Sequence, residues 1–203
     1  MSVMSRIWEK AKSKKKRVVL PEGIEPRMIL AAKKIISEKL AEVTLLGGEN
    51  QIKKLASENG LDLSKVKIVN PVNSEKLKEY AEEYLKLREK KGMTRENAIK
   101  IMENPLFYGA MMVRKEEADG SVAGSINTTG DVLKAAIHII GLASGIKTAS
   151  SSFIMIIPEF LGTKDKVFVF GDCAVLPNPD SEQLASVAIS SAHTMKQLVG
   201  EEP

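Results

Sequence analysis

A short polar segment in the second half of the chain has the composition of an anion-binding loop. Residues 119–140 read DGSVAGSINTTGDVLKAAIHII, a small-residue strand followed by a helix with apolar periodicity. Ser125, Asn127, Thr128 and Thr129 place hydroxyl and amide groups directly before that helix. The first N–H groups of a helix lack partners within it and carry the positive end of its dipole. The segment therefore predicts either a capped helix start or a site for a phosphate or carboxylate.

Two charged residues of the predicted helix affect this loop in opposite directions. Lys134 lies near the helix start, so its ammonium group could reach an anion bound there. Asp131 lies in the first turn, where its carboxylate would satisfy the dipole itself and repel a second anion. Helix capping and anion binding both remain open from the residues alone.

The segment LPEGIEPR at residues 20–27 raises a similar question at another strand-to-helix junction. Arg27 is predicted in the first turn of a helix, where a cation lies against the dipole. It is therefore expected to be held by Glu22 or Glu25, or to be reserved for an anionic group. An ion pair is the simpler explanation.

Other common catalytic motifs are absent from the sequence. It contains no Walker A loop, no dinucleotide-binding glycine motif and no nucleophile elbow. His138 and His193 lack a metal-ligand spacing, so both are predicted to be structural and no metal site is expected. Cys173 follows a hydrophobic strand with no His or Lys nearby in sequence, which favours a small buried side chain over a nucleophile.

The elements that must position these residues alternate between strands and helices. RVVLPEG, EVTLLGG and KVKIVNP are predicted strands separated by helices, which is typical of a parallel sheet flanked by helices in an α/β fold. Residues 73–117 form a helical excursion of three consecutive stretches. Further on, ASSSFIMIIPE and KVFVFGDCAV are predicted as adjacent strands, with an antiparallel arrangement as one option, followed by a long amphipathic helix.

This order of elements predicts two domains. Residues 1–145 form a first α/β domain that includes the excursion at 73–117, and residues 146–203 form a partial second α/β domain. The second block holds two strand candidates and one helix, few for an independent core. We therefore expect the chain to be truncated or incomplete.

Composition limits the function classes. The chain has 203 residues, a hydrophobic share of 43%, a net charge of +4 and a pI of about 9.0. Its lysines are spread over helix faces without interleaved aromatic residues, which disfavours nucleic-acid binding. The single cysteine is consistent with a reducing compartment, and no apolar run is long enough to span a membrane. A cytoplasmic protein with no membrane partner is expected.

Four segments together resemble the phosphate acetyltransferase (phosphotransacetylase) family, in the family's order and at its spacing. They are LPEGIEPRMILAA, LREKKGMTRENAIKIM, FYGAMMVRKEEADGSVAGSINTTGDVLKAAIHIIG and VFVFGDCAVLPNPDSEQLASVAISSA. The resemblance runs from about residue 18 to the end of the chain. It implies a two-domain architecture like that of isocitrate and isopropylmalate dehydrogenases, with the second domain incomplete here, and a homodimer.

The resemblance also implies a reaction, the reversible transfer of an acetyl group between coenzyme A and inorganic phosphate. No metal and no permanently bound cofactor are implied, because coenzyme A, acetyl phosphate and phosphate are all substrates. Arg88 matches an arginine that the family assigns to its substrate site, and the SINTTGDVLK loop matches a small-polar loop at the interdomain cleft. Substrate binding is thus predicted for Arg88, Ser125, Asn127, Thr128, Thr129 and Lys134.

Several departures from the family pattern keep an alternative open. The family usually carries His at the position of Asn127, Ser or Thr at that of Gly130, and Arg-Pro at Lys134-Ala135. Its catalytic Asp and its Ser-Arg-Gly motif are expected beyond Pro203, so the 203-residue chain alone is expected to be inactive. The alternative is a non-catalytic module that binds acetyl-CoA or a partner protein. An acyl specificity like that of phosphate butyryltransferase is a further option.

Overall fold

The computed structural model describes residues 2–203. The six strands are β1 Lys16–Leu20, β2 Ala41–Leu46, β3 Val66–Val69, β4 Gly120–Ser121, β5 Ser152–Phe160 and β6 Thr163–Gly171. The eight α-helices are α1 Val3–Ser13, α2 Pro26–Ser37, α3 Glu49–Asn59, α4 Leu77–Arg88, α5 Arg95–Met102, α6 Pro105–Arg114, α7 Thr129–Ile139 and α8 Ser181–Thr194, the last continued by a π-helix at Met195–Val199. These counts refer to residues 2–203.

The described residues form two compact units. One is Ala11–Gly141, and the other consists of residues 2–10 together with Leu142–Pro203. The predicted division at 145/146 did not place the N-terminal helix with the C-terminal residues. That placement follows from a small core in which Val3 packs with Val167, Met195 and Val199. The predicted division into a first α/β domain and a partial second α/β domain stays a prediction.

The larger unit is built on a parallel four-stranded sheet with the strand order β3-β2-β1-β4. Consecutive strands are joined through helices, as parallel strands require. The prediction of an α/β fold with a parallel sheet flanked by helices is confirmed. The dehydrogenase-like arrangement stays a prediction.

Both faces of this sheet are covered, because side chains alternate between faces along each strand. Leu20 and Leu45 belong to a core with Ile29 of α2 and Ile52 of α3. Their sequence neighbours Val19 and Leu46 face the opposite core, which is formed mainly by α4 to α7. The apolar runs of β1 and β2 are thus explained by burial on both sides.

The helical excursion supplies the second of these cores. The fully buried rings of Tyr80 on α4 and Tyr108 on α6 lie 4.8 Å apart, and Tyr84 contacts Phe107 edge to face. These rings fix α4 against α6. Arg88 is the last residue of α4, the helix that these rings hold.

Strand β4 is shorter than the predicted strand over residues 119–125. Only Gly120 and Ser121 pair with β1. After them the chain turns away at Gly124, whose φ of 107° favours glycine. The backbone N–H groups of Gly124–Asn127 then donate to the Glu22 side chain and do not extend the pairing with β1.

In the smaller unit, β5 and β6 pair antiparallel in register, which confirms the predicted adjacent strands and their antiparallel option. One face of this hairpin contacts α1 and the C-terminal helix through Ile154 and Val169. The other face leaves the paired residues Phe153 and Phe170 more than half exposed, at 62% and 56%.

Candidate functional site

Helix α7 begins with a side-chain cap. The Thr128 hydroxyl accepts the N–H of Asp131 at 3.2 Å and donates to the Asp131 carboxylate at 2.6 Å. Asp131 thus lies at the positive end of the helix dipole, where a carboxylate is favourable. The capping interpretation of this helix start is confirmed.

The loop before the cap surrounds a carboxylate of the protein itself. Glu22 Oε2 accepts the N–H groups of Gly124 and Ser125, at 2.9 and 2.7 Å. Glu22 Oε1 accepts those of Ile126 and Asn127, at 3.0 and 2.8 Å, and the Asn127 side-chain amide at 2.8 Å. We call Glu22 with Gly124–Asn127 the Glu22 nest.

Strand geometry fixes Glu22 in this position. Glu22 follows β1 directly, and the next residue, Gly23, donates its N–H to Leu46 O at 3.0 Å. A Cβ atom at position 23 would lie 2.7 Å from that same oxygen, so only glycine allows this approach. The ends of β1 and β2 are therefore held together, and the Glu22 side chain extends under the loop.

The Glu22 carboxylate is ionised despite its burial. The side chain is the buried charged residue of the core, at 3% exposure. Burial by itself raises its pKa, but the hydrogen bonds from Ile126, Ser125 and Asn127 outweigh burial and lower the pKa to about 2. The nest therefore carries a full negative charge at neutral pH.

This finding corrects the expected role of the loop. The backbone N–H groups of Ser125 and Asn127 were expected to bind a substrate anion, but they already donate to Glu22. An anion does occupy the loop, and it belongs to the protein. The side-chain roles predicted for Ser125, Asn127, Thr128 and Thr129 stay predictions.

Arg27 is paired as expected. Its Nε lies 2.6 Å from Glu25 Oε1, and its Nη2 donates to the carbonyl of Ser125 at 2.7 Å. The predicted ion pair is confirmed, with Glu25 as the partner. Through this hydrogen bond Arg27 connects the start of α2 to the loop, in addition to the bonds to Glu22.

Arg88 differs from every other arginine in residues 2–203. Each of the other five forms an ion pair with a carboxylate: Arg6 with Glu201, Arg17 with Asp119, Arg27 with Glu25, Arg95 with Glu82 and Arg114 with Glu83. Arg88 has no such pair within that part of the chain, and its Nε is buried without a hydrogen-bond partner. A buried donor without an acceptor is costly, so the unpartnered Nε of Arg88 calls for an explanation, and its predicted role in substrate binding stays a prediction.

Arg88 and Lys134 both lie close enough to His138 to act on it electrostatically. Lys134 is exposed on α7, and no ion pair is formed by it within residues 2–203. His138, one helical turn later, has its Nδ1 3.2 Å from the hydroxyl of Tyr84. Burial lowers the pKa of His138, and the nearby charges of Arg88 and Lys134 lower it further. We call these four residues, Tyr84, Arg88, Lys134 and His138, the Arg88 patch.

A cavity of about 370 Å³ opens beside the Glu22 nest. Its walls come from the segments that follow β1, β2 and β3, the carboxyl edge at which open parallel sheets bind ligands. Ile24, Leu46 and Ile126 give it apolar walls, and Asn70 and Asn127 give it amide groups. Its lining also includes Glu22 and Glu103, so the cavity is partly apolar with carboxylates at its wall.

A second carboxylate that accepts several hydrogen bonds, partly buried, lies in the smaller unit. Asp172, just after β6, accepts the hydroxyl of Ser151 at 2.8 Å and the N–H groups of Val175 and Leu176 at 2.7 and 2.8 Å. Burial opposes its ionisation, but the hydrogen bonds from Leu176, Ser151 and Val175 hold the pKa of Asp172 below its usual range. We call this the Asp172 nest.

Sequence reasoning missed the central roles of Glu22 and Asp172. For Glu22 there was a usable signal, because an acidic residue after a buried strand faces a loop rich in glycine and small polar residues. Cys173 is half-buried and not fully buried as expected, and its Sγ donates to Phe170 O. His138 has a hydrogen-bond partner in Tyr84, and its predicted structural role stays a prediction.

Residues 2–203 contain no group of three or more His, Cys, Asp or Glu placed to hold a metal ion. They also contain no helix long and apolar enough to cross a membrane.

Comparison with known sequences gives the family. The family model described as "Phosphate acetyl/butaryl transferase" matches residues 2–203. The chain belongs to this family. The resemblance to phosphate acetyltransferases is thereby confirmed.

Named relatives agree with the family match. The phosphate acetyltransferases of Thermoanaerobacterium thermosaccharolyticum and Clostridium acetobutylicum are each 45% identical over 203 residues, which is all of this chain and 61% of each relative. The phosphate acetyltransferase of Treponema pallidum is 40% identical, and again the match covers 61% of its length. The chain therefore spans about three fifths of the curated relatives it matches.

Solved structures are similar as well. The EutD phosphotransacetylase of Staphylococcus aureus superposes with a TM-score of 0.85 at 32% identity, over 97% of this chain and 57% of that one. A phosphotransacetylase from Streptococcus pyogenes superposes with a TM-score of 0.89 at 30% identity, over 97% and 58% of the two chains. The α/β fold of this chain is thus shared with phosphotransacetylases.

Proposed function

We propose that this chain takes part in the reversible transfer of an acetyl group between coenzyme A and inorganic phosphate. The family match supports the reaction, and the unpaired Arg88 is the observation that assigns a part of it to these residues. Arg88 with Lys134 binds a phosphate group, either that of acetyl phosphate or one carried by coenzyme A.

The proposed chemistry needs charge stabilisation more than a covalent intermediate. The thiolate of coenzyme A attacks the carbonyl carbon of acetyl phosphate, a C–S bond forms, and the C–O bond to phosphate breaks. The phosphate leaves with the electron pair and the negative charge. A cationic pair that holds this group lowers the barrier by positioning it and by compensating its charge. The group that accepts the thiol proton is left unassigned.

The two cations of the patch suit this task differently. The guanidinium of Arg88 can donate two parallel hydrogen bonds to a phosphate, whereas the ammonium of Lys134 acts as a point charge. We propose Ser125, Asn127, Thr128 and Thr129 only for side-chain contacts to substrate.

The finer features of the family are proposals of the same kind. A homodimer is supported by the exposed apolar face of the β5–β6 hairpin, which includes Phe153 and Phe170. A cytoplasmic location and a coenzyme A substrate without a permanent cofactor follow from the proposed reaction.

Binding of coenzyme A to the 203-residue chain tests the proposal. Isothermal titration of the wild-type chain should show binding, which Arg88→Ala weakens by a factor of about 10 to 150, the range for a charged hydrogen bond. Arg95→Ala is the matched control, because Arg95 is exposed and paired with Glu82. Inorganic phosphate is titrated in the same way, and equal binding of both coenzyme A and phosphate by wild type and Arg88→Ala would contradict the assignment.

Activity is tested by joining this chain to the part of the Thermoanaerobacterium relative that it does not span. Such a chimera should form acetyl-CoA from acetyl phosphate and coenzyme A, followed by thioester absorbance. Coenzyme A binding without turnover in a folded chimera would favour a non-catalytic binding module.

A further inference from the structure

Two pairs of residues, each one helical turn apart, meet in the Arg88 patch. Tyr84 and Arg88 are four residues apart on α4, and Lys134 and His138 are four residues apart on α7, so each pair shares one helix face. The Tyr84 hydroxyl at 3.2 Å from His138 Nδ1 joins the two helices. Arg88 is close enough to affect electrostatically both the phenol of Tyr84 and the imidazole of His138.

His138 faces cations from two elements. From α4 it faces Tyr84 and Arg88, and on its own helix it faces Lys134. From α6 it meets the ring of Phe107, at a centroid distance of 6.3 Å. The charged residue of α6 is Arg114. Its guanidinium donates to Glu83 and to the carbonyl of Ile139. Within residues 2–203, the charges that shift His138 are Arg88 and Lys134.

We propose that His138 is a proton-linked part of this phosphate site, taking up a proton when a phosphate group binds Arg88 and Lys134. The affinity for that phosphate-bearing ligand therefore rises as the pH falls from slightly alkaline to mildly acidic. His138 is thereby a positioning and specificity residue that favours the more highly charged anion. This inference rests on the proposed function, because it concerns the same binding patch.

The physical reason is the change in local charge on binding. In the free protein two cations oppose a positive charge on His138, which is also half-buried, so the imidazole is mostly neutral near pH 7. A bound phosphate dianion compensates both cations and makes a third positive charge favourable. Because linkage is reciprocal, protonation of His138 strengthens phosphate binding by the same factor.

Tyr84 allows this proton uptake without a rearrangement. A phenol hydroxyl is both a donor and an acceptor. It can donate to Nδ1 of a neutral imidazole, and it can accept from the Nδ1–H of an imidazolium over the same 3.2 Å. The hydroxyl thus supports His138 in both states.

The sign of the pH dependence follows from the direction of the shifts. The pKa of His138 in the free chain lies below its ordinary value, and proton uptake on binding requires a higher pKa in the complex. Between these two values the ligand's affinity increases by up to tenfold for each pH unit of decrease, and outside them His138 adds no further pH dependence. The linkage thus reaches its full size once the pH is below both values.

The chain contains only two histidines, so NMR can test this directly. The imidazole resonances of His138 and His193 are followed against pH, with and without saturating coenzyme A, and His138→Gln and His193→Gln assign them. Coenzyme A should raise the pKa of His138 and leave that of His193 unchanged. An unchanged His138 pKa in the presence of bound coenzyme A would overturn the inference and leave the proposed function standing.

Calorimetry provides a second readout. The Kd for coenzyme A at pH 7.5 divided by that at pH 6.0 should be about 3 to 10 times larger for the wild type than for His138→Gln, by the linkage factor above. The ligand's own ionisation affects both proteins alike and cancels in this comparison. His193→Gln should match the wild type, and inorganic phosphate serves as the second probe.

The outcomes separate the two ideas. Equal pH dependence in wild type and His138→Gln overturns the proton linkage. Binding that is absent, or that is insensitive to Arg88→Ala, overturns the phosphate site and with it the proposed role of Arg88. If His138→Gln does not fold, the NMR titration of the wild-type chain decides alone.

Discussion

The Glu22 nest and the Arg88 patch both contain strong hydrogen-bond donors, but only the nest contains its own acceptor. In the nest, four backbone N–H groups and an amide converge on one buried carboxylate. In the patch, Arg88 keeps a buried Nε without a partner, and Lys134 is exposed beside it. Donor density alone therefore does not indicate a substrate site.

The two regions differ in whether their hydrogen-bond donors find an acceptor within the protein. A donor set that is satisfied internally fixes the fold, as in the nest and again in the Asp172 nest of the smaller unit. A buried donor that stays unsatisfied costs stability, and we propose that Arg88 is such a donor kept for a ligand. We expect substitutions in the nest to affect stability and substitutions in the patch to affect binding.

The largest effect is expected for Glu22→Gln. The amide has one acceptor atom in place of two and directs an NH₂ group at backbone N–H donors, so the nest loses several charge-assisted bonds. The free energy of unfolding of the 11–141 unit should fall by roughly 3 kcal/mol, measured by urea denaturation. Glu25→Gln, whose partner Arg27 is exposed, is the control and should lose clearly less. A loss no larger than that of the control would contradict a structural role for the nest.

Acid should remove the same stabilisation. The folded-state pKa of Glu22 is about 2, compared with an ordinary value of 4.5, so the unfolded chain binds the proton first as the pH falls. The contribution of Glu22 is complete above pH 4.5 and is lost as the pH falls towards about 2. Urea denaturation between pH 2 and 7 should show a flatter profile for Glu22→Gln than for wild type. Parallel profiles would show that other groups control acid unfolding.

The next effect concerns Arg88 and separates the two regions. Arg88→Ala should weaken coenzyme A binding by about 1.5–3 kcal/mol and change the unfolding free energy by less than about 0.5 kcal/mol, since no ion pair is lost. Arg114→Ala should do the reverse, because Arg114 pairs with Glu83 and donates to the carbonyl of Ile139. Titration calorimetry and urea denaturation on both variants give the comparison. A stability loss in Arg88→Ala equal to that of Arg114→Ala would make Arg88 structural.

The smallest effect is expected at Lys134. Lys134→Arg supplies a planar fork and should tighten phosphate binding by a few fold, and Lys134→Ala should weaken it by a similar factor. Lys115→Arg is the control, since Lys115 is already paired with Glu79. If both Lys134 variants bind like the parent, Lys134 is an ordinary solvated lysine.

Much of the fold was predictable from short-range signals. The apolar runs that became β1 to β3, and the hairpin of β5 and β6, reflect burial, which the sequence pattern records. The length of β4 was not predictable in this way. It is set by Glu22, which is about a hundred positions earlier in the chain and draws Gly124–Asn127 away from the sheet.

In the site too, local properties could be predicted from the sequence and properties of the folded packing could not. Thr128 as a helix cap is a local property, and it was open to prediction from residues 128–131. Arg88 was singled out by resemblance alone, because the absence of an acceptor around a side chain is a property of the folded packing. For the same reason, the loop's donors were recognised and their acceptor was not.

The most direct test of this account is a crystal of the chain soaked in inorganic phosphate. The account predicts an anion bonded to the guanidinium of Arg88 and near the ammonium of Lys134, with the Glu22 carboxylate still bonded to Gly124–Asn127. An anion on the N–H groups of Gly124–Asn127, with Glu22 displaced and Arg88 unoccupied, would contradict it.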